Sequence, residues 1–368
     1  MPLPRFWLGC IGCVLLVSLL WGCALPQVRA EDRLFLNVTV EYRGELSLPA
    51  GTLVDGTVVG GISGLTYDPQ QQQFYAISDD RQQPRFYGLA LSLPSAVSTY
   101  EGAIEPKFVT FLTQANGDLY PANTADTEGI GLTPDGRLMI SSEGVTATSS
   151  LPWIKEFVLN GQQERALPIP AYYLPEETGQ KGIRNNLGFE ALTLSPTGDR
   201  LFVGVESALS QDLRPNQPIY CRLLHYLRGD VLPVLLAEHV YPLDPAPAGS
   251  IANGLVELLA LDNGGHFLSL ERTYSPQNGY GIKLFEMSLA GATDTLGMAI
   301  LPVDLPSLQP VRKRLILDLT TLGIPLTNLE GMALGYPFAD GSRSLWIIGD
   351  NDFDAQIPTQ ALVFRVQF

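Results

Sequence analysis

Beyond its first thirty residues the chain carries a single cysteine, Cys221; the other three, Cys10, Cys13 and Cys23, crowd into the apolar opening segment. A lone thiol excludes an internal disulfide and any cysteine-built metal cluster. Cys221 reads as a buried apolar residue on a strand. Histidine is also scarce, at His225, His239 and His266 only. No Gly-x-Ser-x-Gly elbow occurs. "GGISGL" around Ser63 comes near it, but Leu65 stands where the elbow needs its last glycine. His266 falls in a hairpin turn, expected on the face away from the acidic residues discussed below. Those facts argue against a Ser-His-Asp hydrolase. There is no His-Glu-x-x-His, no P-loop and no dinucleotide fingerprint. Basic residues are few as well. Lys and Arg number 23 against 38 Asp and Glu, a net charge of -15. Such a surface repels phosphate backbones and excludes nucleic acid as a partner. It suits cations, or serves solubility alone.

Long apolar runs are confined to the beginning. Arg5 precedes "FWLGCIGCVLLVSLLWG", and Val28-Arg29-Ala30 before Glu31 has the form of a cleavage site, so residues 1–30 read as an export signal. The alternative is a lipoprotein signal over 1–22, with "LLWGC" placing a lipid on Cys23. The protein is accordingly expected outside the cytoplasm, in the periplasm, in the medium, or lipid-anchored at the envelope. That anchor is its one expected contact with a membrane. Downstream, no stretch approaches the roughly 20 apolar residues of a membrane helix, and no segment of ten residues or more keeps a helical period.

Strand patterns repeat instead. "ISGLTYDPQQQQFYAISDD" from Ile62, "TEGIGLTPDGRLMISSEG" from Thr127, "FEALTLSPTGDRLFVGVES" from Phe189, "VELLALDNGGHFLSLER" from Val256 and "LEGMALGYPFADGSRSLWIIGDND" from Leu329 share one design. Each is an alternating strand, a turn rich in Pro, Asp, Asn or Gly, and a second strand ending in polar or acidic residues. Aligned on the second residue, they place Ser63, Glu128, Glu190, Glu257 and Glu330 at intervals of 65, 62, 67 and 73. Two further strand-like runs follow each hairpin except the last, which has only "ALVFRVQF". The strand it lacks has a donor in "RLFLNVTVEY", residues 33–42. Four strands per period, with the last sheet completed from the N-terminus, predict an all-β propeller of four-stranded blades over residues 31–368. Five blades are expected. The long interval between Glu257 and Glu330 leaves six as the alternative. A β-sandwich does not account for the period.

In a hairpin the start of one strand lies beside the end of the next. The openers therefore meet the closing residues Asp79, Glu143, Glu206, Glu271 and Asp350, with Asp80 and Asp352 close by. Innermost strands line a propeller's channel, so the two sets are expected as an acidic ring at its mouth. Crowded carboxylates raise one another's pKa, and cations relieve the repulsion. Hard oxygen ligands suit Ca²⁺, with Mg²⁺ as the other candidate. The expected metal ligands are Asp79, Glu128, Glu143, Glu190, Glu206, Glu257, Glu271, Glu330 and Asp350. Duplication of a blade unit, or capping of strand ends, is the alternative reason for the recurring acids.

The hairpin motifs, with "GGISGLTYDP", "FYAISDD" and "NNLGFEALTLSPTGDRLFVGVES", resemble the "esterase-like activity of phytase" family of exported bacterial propeller domains, over roughly 33–368. The resemblance implies a propeller and an ester or phosphoester hydrolase. In general style the chain is also similar to calcium-dependent propeller phytases, which hold calcium at an acidic channel mouth. The basic residues near the expected ring are few, namely Arg81, Lys181, Arg184 and Arg272, and that scarcity argues against phytate itself. Two functions remain. One is a divalent-metal-dependent hydrolase of a small phosphorylated or ester substrate, with Glu128, Glu190 and Glu330 holding metal or water and Arg272 and Arg81 steadying the anion. The other is a non-catalytic, calcium-stabilised propeller that binds a ligand or protein at its loop face.

Overall fold

Each of the five repeated hairpins is the inner half of a four-stranded antiparallel sheet in the computed structural model. The structure describes residues 34–93, 102–215, 217–229, 232–302 and 308–368. The chain divides into Met1–Leu36, of which only the last three residues are described, and Asn37–Phe368, which holds every strand found among the described residues. The expected export signal, whether 1–30 or 1–22 with a lipid on Cys23, lies outside the described residues.

From inner to outer strand, blade 1 is Ile62–Asp68, Gln73–Ser78, Arg85–Ser92 and Ala103–Phe111. Blade 2 is Thr127–Leu132, Arg137–Ser142, Trp153–Val158 and Gln163–Ala166. Blade 3 is Phe189–Leu194, Arg200–Val205, Tyr220–Leu227 and Val234–Pro242. Blade 4 is Ala252–Ala260, His266–Ser275, Gly279–Ser288 and Arg312–Asp318. Blade 5 is Asn328–Pro337, Arg343–Asp350 and Thr359–Gln367, and its outer strand is Thr39–Leu48 from the other end of the chain. The inner strands pack in chain order and the fifth returns to the first, which closes a five-bladed ring. The six-blade alternative fails because the described part of the long interval before Glu330 adds one outer strand and a short 3-10 turn, Leu319–Leu322.

The closing strand is displaced from the expected 33–42. Thr39 pairs with Gln367 and Leu48 with Thr359, with a bulge between Tyr42 and Gly44. The alternation that matters runs later, because Leu46 and Leu48 are the residues buried against blades 1 and 5. Between that strand and blade 1 a small hairpin, Leu53–Val54 with Thr57–Val58, turns on Asp55-Gly56, both at positive φ. Asp-Gly is the pair such a two-residue turn favours.

Apolar residues of neighbouring blades form the core. Phe74, Trp346 and Tyr336 pack edge-on between blades 1 and 5. Phe202 and Phe267 do the same between blades 3 and 4. Cys221 is fully buried there, its thiol donating to the Glu206 carbonyl at 3.1 Å, as its apolar setting predicts.

Candidate functional site

A bulge opens the inner strand of every blade, and it decides which side chains reach the channel mouth. The register skips at Ser63 in blade 1, at Glu128-Gly129 in blade 2, at Glu190-Ala191 in blade 3 and at Glu330 in blade 5. The next residue is small because adjacent inner strands nearly touch. A Cβ on Gly129 would lie 2.5 Å from the Leu192 Cβ, and one on Gly64 would lie 2.5 Å from the Glu128 carbonyl. The Glu-Gly pairs in the sequence thus combine two demands, a carboxylate for the mouth and a backbone thin enough for ring closure.

Blade 4 breaks the pattern. Leu255 pairs with Glu271 and Glu257 with Leu270, so the bulged residue is Val256. The closing position, held elsewhere by Asp79, Glu143, Glu206 and Asp350, falls to Arg272. Glu257 and Glu271, expected in the ring, are each one residue out of phase, and one residue reverses the face of a strand. Glu257 is buried and accepts from the Leu192 and Leu258 N–H groups at 3.1 and 2.9 Å, tying blade 3 to blade 4. Glu271 accepts from the Tyr241 hydroxyl at 2.7 Å and pairs with Lys313 between the same blades. The opener-to-closer offset is 16 in blades 1, 3 and 4 but 15 in blade 2 and 20 in blade 5, so hairpin length does not single out the phase of blade 4.

The remaining acids converge. Oxygens of Glu143, Glu190 and Glu206 lie within 4.8 Å of one another, and so do those of Asp126, Glu128 and Glu143. All five of these residues are buried. Asp126 stands just before the blade 2 strand and was not singled out from the sequence, although the "DTEG" quartet contains it. Asp79, Asp350 and Asp352 gather on the blade 1 and blade 5 side, where Asp352 and Phe353 both adopt positive φ. The loop is held by the Asp350 and Asn351 side chains, which accept from the N–H groups of Asp352 and Phe353.

Burial pushes Glu128 and Glu190 well above the usual carboxylate range, and neighbouring acids add to it, led by Glu190 for Glu128 and by Glu143 for Glu190. Glu143 is raised to about 8 by burial and then by Glu206 and Asp126. Asp350 is raised to about 8 by burial, Asp79 and Asp352. Asp79 is raised to about 7 by burial, Asp126 and Asp352. Burial also raises Asp126 and Glu206, against the pull of Arg81 on the first and Arg272 on the second.

Cations are few and already engaged. Arg272 pairs with Glu206 at 3.0 Å and with Glu330, and also bonds Asn328. This separates Glu330 from the carboxylate triads and commits the guanidinium expected to steady a substrate. Arg81 bonds Asp126 and Asn186 at 2.5 and 2.6 Å. Lys181 pairs with exposed Glu176. Arg184 donates to the Ala208 carbonyl and the Ser207 hydroxyl. His266 starts the second strand of blade 4 at the turn end, bonded to Asp262 at 2.8 Å, remote from the mouth as expected. At that opposite end a cavity of about 410 Å³ is lined by residues such as Tyr67, Leu132, Leu194 and Leu334, with no Asp or Glu side chain among its lining.

A family model described as "Phytase-like: Esterase-like activity of phytase" matches residues 57–353. An "Uncharacterized secreted protein" of Arthroderma benhamiae is 28% identical over 143 residues, which cover 32% of this chain and 27% of that protein. The match thus spans about a quarter of that relative's length. Among solved structures, a β-1,3-galactosidase has a TM-score of 0.45 at 9% identity, covering 87% of this chain and 95% of that one. An endo-arabinase from Bacteroides thetaiotaomicron has a TM-score of 0.40 at 13% identity, covering 88% and 97%. A luciferin-regenerating enzyme has a TM-score of 0.39 at 12% identity, covering 90% and 96%. Nothing about chemistry follows at such scores.

Proposed function

The chain belongs to the phytase-like family, and on that premise we propose an exported, divalent-cation-dependent hydrolase of a small ester or phosphoester, worked by the carboxylates of blades 2 and 3. The observation that carries the proposal is the pair of buried triads sharing Glu143. Five carboxylates in so little space offer only oxygen, the donor set that Ca²⁺ and Mg²⁺ take. Their raised pKa values mark a charge deficit that a cation would fill. Glu143, Glu190 and Glu206 would hold it, with Asp126 and Glu128 beside them. A bound cation supplies countercharge and Lewis acidity.

The chain's own groups do the rest. Burial favours the protonated form of Glu128, which can give its proton to a leaving oxygen and be restored by the proton released from the attacking water. Arg272 holds Glu206 and Glu330 in place. Release after Ala30, or anchoring at Cys23, belongs to this reading, as does a substrate small enough to enter the mouth.

The test is turnover of 4-nitrophenyl phosphate and 4-nitrophenyl acetate by residues 31–368, with calcium and with chelator. Slow hydrolysis that needs the cation and is lost in Glu190→Gln is expected. Turnover that survives chelation overturns the metal dependence. A calcium-raised melting temperature with no turnover favours the second reading, a binding propeller stabilised by its cation.

A further inference from the structure

Between blades 3 and 4, beside Glu206, lies a cavity of about 650 Å³. Small-molecule sites commonly fall between about 300 and 1,000 Å³. Leu187, Pro218, Ile219, Leu243, Pro245 and Ile251 supply apolar wall, and Arg184, Ser207 and Asn253 supply polar atoms. We propose that this cavity binds a singly charged organic anion with an apolar body, its charge held by Arg184.

Two observations carry the inference. First, Arg184 bonds only neutral acceptors among its named partners, the Ala208 carbonyl at 3.1 Å and the Ser207 hydroxyl at 2.7 Å. Those bonds use two of the five N–H donors of a guanidinium. Burial also holds Arg184 below the usual arginine range, although Glu206 opposes the shift.

Second, the nearby carboxylates already have cations. Asp244, the acid that lines the cavity, is paired with Lys283 and Lys313, each at 3.0 Å, and Glu206, within electrostatic reach of Arg184, pairs with Arg272. Arg184 is thus the charge at this cavity that a guest can answer. One negative charge suits it. A second would meet the acids of the mouth.

Wall and charge together describe a site with an apolar side and a polar end. The inference requires neither a cation nor hydrolysis.

The experiment is calorimetric binding of 2-naphthoate, neutral 2-naphthol and dianionic 2-naphthyl phosphate to residues 31–368 at pH 7 with chelator present. Naphthoate is expected to bind tightest of the three. Arg184→Gln should weaken it at least tenfold, with Arg184→Lys within about threefold of the parent. Ala246→Trp, which fills the cavity from an exposed loop and leaves Arg184 in place, should also weaken it at least tenfold. Denaturant midpoints of all three variants should stay near the parent's. Naphthol binding as well as naphthoate, or undiminished naphthoate binding by Arg184→Gln or Ala246→Trp, would overturn the proposal. Preference for the dianion would overturn its single-charge form. Loss of hydrolysis in the separate turnover assay touches none of these outcomes.

Discussion

Arg272 of blade 4 reaches Glu206 of blade 3 at 3.0 Å, and with Glu330 of blade 5 on its other side it bridges three blades at the channel mouth. It takes the position that an acid takes in the other four. The ring therefore has a built-in cation on one side and crowded, cation-poor carboxylates on the other.

Arg272→Gln should leave Glu206 and Glu330 buried without their partner. Breaking a buried pair from one side costs about 3–5 kcal/mol. The expected result is a large fall in the urea midpoint, part of which added calcium restores. A midpoint within experimental error of the parent's would mean that the bridge contributes little.

Glu257 and Glu190 should part company under the same substitution. Glu257→Gln keeps an oxygen for the Leu192 and Leu258 N–H groups, so stability and the calcium response should stay near the parent's. Glu257→Ala removes that acceptor, and each buried N–H left unpaired costs about 1–3 kcal/mol. Glu190→Gln takes an oxygen donor from a triad, and the calcium-induced rise in melting temperature should shrink. Melts of the three variants with and without calcium decide the matter.

Stability without cations should fall as pH rises. Asp79, Glu143 and Asp350 are raised to about 7, 8 and 8 from ordinary values of 3.8, 4.5 and 3.8. The folded state thus holds more protons than the unfolded chain between about pH 4 and 8. The stability these protons give is complete below about pH 4 and is lost as pH climbs through the folded values. Urea midpoints at pH 5, 6, 7 and 8 in chelator should decline in that order, and calcium should flatten the decline. A midpoint that rises over this window contradicts the reading.

Ring closure rests on Thr39–Leu48. Leu46→Ala removes a buried side chain from the seam between blades 5 and 1, a change that typically costs 2–5 kcal/mol, and a deletion through Leu48 should cost more. Thermal melts check both. An unchanged transition after the deletion would show that the ring closes without this strand.

Periodicity specified a propeller closed from the N-terminus, while the structure decided between five and six blades and moved the closing strand to Thr39–Leu48. Alternating strands, turn residues and a 62–73 residue interval specify inner hairpins, and a last repeat short of one strand specifies closure from the N-terminus. Those features are local, and the sequence states them directly. The acids at Glu128, Glu143, Glu190 and Glu206 were legible for the same reason. Side-chain phase was not. Whether Glu257 or Val256 faces the mouth depends on where the bulge falls in a ladder between two strands, and that is settled by how the inner strands fit around the ring. Contacts between distant residues were beyond the sequence as well: Arg272 with Glu330, Asp126 with Glu143, and Arg184 at the cavity between blades 3 and 4. Each joins residues that only closure of the ring brings together, so their partners are fixed by the circle and by no single blade.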